Sequence, residues 1–195
     1  MYYKIFIRSL FLVPVLLLQA VSAHAAAVTF NATLLGANEA PTPVNSTGNG
    51  IGTFTFDTVA QNIAFNIGYS GLSSTAQMAH IHFGAVGVAG PIILPFSPNP
   101  TGTSGTLTGT LTTANLINQS TSGIVTFTDI YNAAVSGNLY ANLHTTLFPA
   151  GEIRGQLTQQ ASAVPEPMTG LLFASGLFAI PLAFRLRSKT QSSRN

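Results

Sequence analysis

A chain of 195 residues has room for one ordinary domain between two apolar ends, and its lack of cysteine excludes disulfides and cysteine-ligated zinc. The formal net charge of +2 comes from those ends, because residues 26–163 carry four acidic side chains and one arginine. A middle segment with a net negative charge argues against nucleic acid as a partner, since that role needs clustered Lys and Arg side chains.

The N-terminal residues 1–25 have the parts of a secretory signal peptide. Lys4 and Arg8 form a basic start, residues 10–18 are apolar, and an Ala-x-Ala cleavage pattern ends at Ala25. The alternative is an uncleaved anchor, but the apolar run is shorter than the roughly 20 residues that a membrane span needs. The sequence therefore predicts cleavage and export.

The middle segment, residues 26–160, alternates apolar and polar residues at the period of β-strands. Strands are predicted at residues 28–34, 50–57, 63–69, 92–96, 105–113, 139–145 and 152–158. Loops rich in Gly, Pro and Ser separate these runs. Their number and spacing predict an all-β fold, a Greek-key β-sandwich or barrel that is immunoglobulin-like or superoxide-dismutase-like.

One short helix is predicted among the strands. Thr126 and Asp129 form a capping-box pattern, apolar residues then recur at helical spacing from Phe127 to Val135, and Gly137 ends the turn. We expect a crossover helix whose apolar stripe packs on the sandwich.

Three histidines form the pattern with the most chemistry. His80 and His82 are two apart in a strand and therefore share a face, while His144 belongs to the polar face of a later strand. Three imidazoles with one open position are a plausible ligand set for zinc or copper. We expect all three rings on solvent-facing surface, with Glu152 and Arg154 also pointing outward.

Two interpretations of these histidines stay open. They bind a metal ion, or they hydrogen-bond with Asn142, Glu152 and Arg154 in a structural polar network, because a neutral imidazole both donates and accepts. Three histidines are too few for a two-metal dismutase site. An exposed pair of Glu152 with Arg154 would contribute only about 0 to 1 kcal/mol.

The C-terminal residues 161–195 have three parts in a fixed order. The motif Pro165-Glu166-Pro167 comes first, an apolar stretch predicted as a transmembrane helix at residues 168–184 follows, and a basic cluster ends the chain. This order resembles the PEP-CTERM sorting signal of Gram-negative bacteria. The resemblance implies processing by an exosortase-type protease and delivery to the outer envelope or an extracellular matrix. The alternative is a plain membrane anchor that stays attached.

Three segments of the middle region together resemble the CHRD domain, over roughly residues 28–158. They are Asn38-Glu39-Ala40-Pro41, the paired histidines within residues 79–84, and the sequences Asn-Leu-His-Thr and Gly-Glu-Ile-Arg-Gly-Gln within residues 142–156. The resemblance implies a domain that is widespread in bacterial exported proteins.

The predicted function is that of an exported, non-catalytic CHRD-domain protein that contacts protein or polysaccharide at the cell surface or in the matrix. The alternative is a metal-dependent surface enzyme or metal-binding protein that holds zinc or copper with His80, His82 and His144. No catalytic residue is predicted, because the sequence has neither a G-x-S-x-G elbow nor a Gly-rich phosphate loop.

Overall fold

The computed structural model describes residues 27–161 of the chain. The predicted signal peptide, the Pro165-Glu166-Pro167 motif and the helix predicted at residues 168–184 lie outside the described residues. Between residues 27 and 161, no helix is long and apolar enough to cross a membrane.

Nine strands and two short helices form the described part of the chain. The strands are β1 (Val28–Leu35), β2 (Asn49–Asp57), β3 (Asn62–Ser70), β4 (Ala76–Phe83), β5 (Ile92–Pro95), β6 (Gly105–Leu111), β7 (Leu139–Thr145), β8 (Ile153–Gln156) and β9 (Thr158–Gln159). The helices are α1 (Gln119–Ser122) and α2 (Phe127–Val135), and single 3-10 turns cover Gly36–Asn38 and Thr113–Asn115. The predicted all-β fold is confirmed.

One antiparallel sheet connects the strands in the order β5-β4-β7-β8-β1-β2-β3-β6, and β9 pairs with β1. The arrangement is barrel-like and consistent with a β-sandwich. The finer assignment to an immunoglobulin-like or superoxide-dismutase-like Greek key stays a prediction.

The strands β1 to β3 follow the predicted alternation of apolar and polar faces. Phe54, Phe56 and Phe65 are buried, whereas their neighbour Asn66 is exposed. The buried rings pack tightly, as shown by the 4.9 Å between the ring centroids of Phe30 and Phe56. Burial of each such ring stabilises the fold by roughly 1.5–3 kcal/mol.

The helix α2 begins at the predicted capping box. Thr126 Oγ1 accepts a hydrogen bond from the Asp129 amide at 3.1 Å, and Asp129 Oδ2 accepts one from the Thr126 amide at 2.8 Å. Ile130 on its inner face is buried, and Gly137 follows the helix with a φ of 70°. The prediction of one helix misses α1, a four-residue turn with no apolar periodicity.

The strand β7 departs from the two-faced pattern, because all seven of its residues are buried. Leu139, Ala141 and Leu143 belong to the core, as predicted. The opposite, polar face of β4, β7 and β8 is buried as well, because the loops at residues 36–44, 84–91 and 146–152 bond to it. We call this surface the covered face. It consists of His80, His82, Tyr140, Asn142, His144, Arg154 and Gln156.

Candidate metal centre

The register of β4 against β7 brings the three histidines together. His80 pairs with Asn142 and Met78 pairs with His144, so His144 lies diagonally across from His80 on the same face. His82 is two residues further along β4 and shares that face. The three imidazoles lie on the polar faces of their strands, as predicted, and the register of β4 against β7 makes these one face.

The ligating nitrogens of the three rings lie within 4.8 Å of one another. His80 Nδ1 and His144 Nε2 are 3.2 Å apart. Two nitrogens on one tetrahedral zinc ion, each at about 2.0–2.1 Å from it, are separated by roughly 3.3 Å. The His80 and His144 nitrogens therefore already have the spacing of two ligands on a shared ion.

Backbone carbonyls orient two of the rings. His82 Nδ1 lies 3.0 Å from the Gly90 carbonyl oxygen, and His144 Nδ1 lies 3.0 Å from that of Pro149. A carbonyl only accepts, so each Nδ1 carries the hydrogen and each Nε2 keeps its lone pair. A carbonyl behind an imidazole is the usual outer partner of a metal-bound histidine.

The lone pair of His82 lies on Nε2 and meets no hydrogen-bond donor in the described part of the chain. Nε2 of this ring is buried and makes no hydrogen bond to any of the residues 27–161. His80 Nδ1 donates to His144 Nε2 as the rings stand, because Nε2 of His144 is an acceptor. Moving the His80 hydrogen to its Nε2 would leave a free lone pair on each of the three clustered nitrogens without changing the charge of any ring.

All three histidines are only 6–7% exposed, so the prediction of solvent-facing rings is wrong. The physical reason is the cover over this face, which includes the loop at residues 84–91. Arg154 Nη2 donates to the carbonyls of Ala85 and Val88 in that loop at 2.9 and 3.0 Å. The Gly90 amide donates to Tyr140 Oη at 3.0 Å and closes the loop over His82.

Burial keeps the three rings uncharged near neutral pH. The pKa of His80 and of His82 is lowered to about 4, mainly by desolvation and also by the neighbouring imidazoles, although the Gly90 carbonyl acts in the opposite direction on His82. Desolvation also lowers the pKa of His144, although the Pro149 carbonyl acts in the opposite direction. A neutral imidazole is the form that ligates a metal ion.

The predicted polar network with Asn142, Glu152 and Arg154 is not the one that forms. Asn142 Nδ2 donates to Glu39 Oε2 at 3.3 Å, and the Arg154 guanidinium stacks on the Tyr140 ring, 3.4 Å from its centre. In the described part of the chain, the hydrogen bonds of the histidine rings run from His80 to His144 and from His82 and His144 to backbone carbonyls.

Glu152 is fully buried, so the prediction that it points outward and pairs with an exposed Arg154 is also wrong. Its carboxylate accepts hydrogen bonds from Ser46 Oγ at 2.6 Å, the Ser73 amide at 2.7 Å and Thr145 Oγ1 at 2.7 Å. These donors come from three separate parts of the chain. The carboxylate therefore ties loops together and takes no part in the histidine cluster.

Sequence reasoning places Tyr140 on the polar face of its strand and Glu39 in a motif of the CHRD resemblance, but it predicts no contact for either of them in this region. The Tyr140 ring is stacked between two cationic or basic groups, since His82 lies 4.8 Å away on one side and Arg154 contacts the ring as well. Tyr140 shares its strand face with Asn142, so the period of β7 carries the signal. Glu39 reaches the covered face from a distant loop, and the alternation of apolar and polar residues does not predict its contact with Asn142.

Comparison with known families supports the resemblance seen in the sequence. The CHRD domain model matches residues 30–157, which is more than half of the chain. No curated protein and no solved structure gives a significant match. The match includes all three clustered histidines, Glu39 and Arg154. The chain belongs to the CHRD domain family.

Proposed function

We propose that this CHRD-domain protein binds one transition-metal ion through His80, His82 and His144. The observation that carries the proposal is the convergence of three imidazoles whose ligating nitrogens lie within 4.8 Å of one another. A second observation supports it, because His82 Nε2 is buried without a hydrogen-bond partner among the described residues. Leaving such a group unsatisfied costs roughly 1–3 kcal/mol, and a bound metal ion would remove that cost.

The donor set favours zinc or copper. Imidazole nitrogen suits both metals, whereas magnesium and calcium prefer oxygen ligands. The carbonyls of Gly90 and Pro149 already orient two rings in the manner of metal-bound histidines. We propose binding of the ion without a catalytic role, in keeping with the non-catalytic function predicted from the sequence.

Metal counting on the full-length chain tests this proposal. The chain is purified in a mild detergent, loaded with Zn²⁺ or Cu²⁺ and passed through a desalting column, and the retained metal is counted by mass spectrometry. We expect one ion per chain, lost in His82→Phe and kept in Gln77→Ala, an exposed position on the same strand. Absence of retained metal in the wild type would remove the proposal.

We further propose that the protein is exported to the outer envelope or matrix and contacts polysaccharide or protein there. The signal-peptide pattern at residues 1–25 and the Pro165-Glu166-Pro167 motif support this localisation and processing by an exosortase-type protease. Converting the motif to three alanines should leave the tail attached and hold the protein in the inner membrane. Unchanged release would contradict the sorting proposal.

A further inference from the structure

A cavity of about 410 Å³ opens beside the covered face, between the loops at residues 36–44 and 84–91. Its polar wall contains Glu39, Arg154 and Gln156, and its apolar wall contains Pro41, Pro43 and Val86. The volume falls within the range of about 300–1,000 Å³ that is typical of small-molecule sites. None of the three histidines lines it, so the cavity is separate from the proposed metal centre.

Arg154 brings a buried positive charge to this wall. The residue is 2% exposed and is the only Lys or Arg side chain between residues 26 and 163. A guanidinium has five N–H donors, but only Nη2 finds acceptors within the described part of the chain, the carbonyls of Ala85 and Val88. No described carboxylate accepts a hydrogen bond from it, although buried charges are ordinarily paired.

Glu39, the nearby acid, is bound to Asn142 instead. Asn142 Nδ2 donates to Glu39 Oε2, whereas Glu39 Oε1 and Asn142 Oδ1 are buried acceptors without a donor among residues 27–161. Both orphan oxygens crowd Gly151, where an added Cβ would lie 2.8 Å from the first and 2.7 Å from the second. The two acceptors therefore border one small space.

A single proton on Glu39 Oε1 would satisfy both acceptors. The protonated acid would donate to Asn142 Oδ1 while it accepts from Asn142 Nδ2, the reciprocal pairing of a carboxylic acid with an amide. Burial raises the pKa of Glu39 to about 7, against the hydrogen bond from Asn142 and the charge of Arg154. In this neutral form Glu39 leaves the positive charge at the cavity wall uncompensated.

We propose that this cavity binds a small oxyanion, with a carboxylate-bearing ligand seated on the Arg154 guanidinium. The planar fork of arginine matches a carboxylate through two parallel hydrogen bonds. Pro41 and Val86 would cover the apolar part of the ligand. A uronate unit of an acidic polysaccharide carries such a carboxylate. Inorganic phosphate is also an oxyanion and is the other source that the test must distinguish. The inference goes beyond the proposed metal binding and does not depend on it.

The full-length chain in detergent is first freed of metal on a chelating resin, because dissolved EDTA carries carboxylates that would compete for the site. It is then titrated with galacturonate, with galactose as the uncharged control, and with inorganic phosphate. We expect isothermal titration calorimetry to detect galacturonate and not galactose. Arg154→Lys keeps the charge but loses the fork, so it should weaken galacturonate binding roughly tenfold or more. Glu39→Gln, which fixes a neutral side chain, should still bind.

A second pair of variants tests the site without touching buried groups. Val86 lines the cavity and is 77% exposed, while Val59 is 74% exposed and does not line it. Val86→Trp should block galacturonate binding, and Val59→Trp should bind like the wild type. Loss of binding in Val59→Trp as well would overturn the assignment to this cavity.

Three results would contradict the oxyanion site, and one would identify its ligand as phosphate. Equal binding of galacturonate and galactose, undiminished binding in Val86→Trp, or loss of binding in Glu39→Gln would each overturn the proposal. Phosphate binding that is tighter than galacturonate binding supports the oxyanion site and identifies phosphate as its source. Because the metal is removed before the titration, failure here leaves the metal proposal standing, and a failed metal count leaves this site standing.

Discussion

Replacing His82 by phenylalanine separates the metal-binding interpretation from a purely structural one. Phenylalanine keeps a flat ring of similar size against Tyr140, whose ring centroid lies 4.8 Å from that of His82 at an interplanar angle of 13°. The change removes the orphan Nε2, and with it an unsatisfied group that costs roughly 1–3 kcal/mol. It also removes the hydrogen bond from Nδ1 to the Gly90 carbonyl, about 1 kcal/mol.

The gain from removing the unsatisfied Nε2 and the loss of the hydrogen bond from Nδ1 oppose each other. The Gly90 carbonyl is not left without a donor, because Tyr140 Oη donates to it at 3.4 Å. In EDTA we therefore expect the free energy of unfolding of His82→Phe to equal that of the wild type or to exceed it by up to about 2 kcal/mol. With zinc at about 100 times its dissociation constant, the wild type should gain about 2.7 kcal/mol and His82→Phe should gain none.

Urea unfolding of the full-length chain, followed by circular dichroism in one detergent, measures both quantities. Gln77→Ala serves as the control, because it lies on the same strand with an exposed side chain and should respond to zinc like the wild type. If His82→Phe were destabilised by more than about 2 kcal/mol in EDTA, His82 would be a structural residue that needs no metal. A zinc response retained in His82→Phe would refute its role as a ligand.

Further predictions concern pH, a glycine and the core. Without metal, stability should fall as the pH drops from 6.5 towards 4, because unfolded histidines take up protons there while the buried rings do not. Between pH 4.5 and 7 the raised pKa of Glu39 has the opposite effect on stability, but one carboxyl group is outweighed by three imidazoles. Urea midpoints across this pH range measure the change in stability, and a midpoint that does not vary with pH would contradict the prediction. Gly151→Ala places a Cβ at a φ of 133° against Glu39 and Asn142, so unfolding should become easier by roughly 1–3 kcal/mol; an unchanged urea midpoint would contradict the crowding. Ile130→Ala on the buried face of α2 should cost about 2–5 kcal/mol in the same assay, and a loss below 1 kcal/mol would show that the helix does not pack on the core.

Sequence patterns predict the strands β1 to β3 and the start of α2, because these features depend on residues that are close together in the sequence. The alternation in β1 to β3 predicts which side chains are buried, because one face of these strands packs on the core and the other is exposed. The capping box of Thr126 and Asp129 predicts the first residue of α2 for the same reason. The four-residue helix α1 has no such signal and was missed.

The covered face is where pattern reasoning fails. Alternation correctly places His80, His82 and His144 on the polar face but cannot show that loops from elsewhere in the chain bury that face. Glu39 reaches Asn142 across 103 residues of sequence, and such a contact has no period or spacing to reveal it. The burial of Glu152 likewise depends on donors from distant loops.

The central claim, that three buried imidazoles hold one metal ion, is tested most directly by X-ray absorption on the zinc-loaded full-length chain. We expect three imidazole nitrogens in the first shell at about 2.0–2.1 Å, falling to two in His82→Phe if any zinc is retained. A first shell made only of oxygen atoms, or a spectrum unchanged by His82→Phe, would contradict the claim.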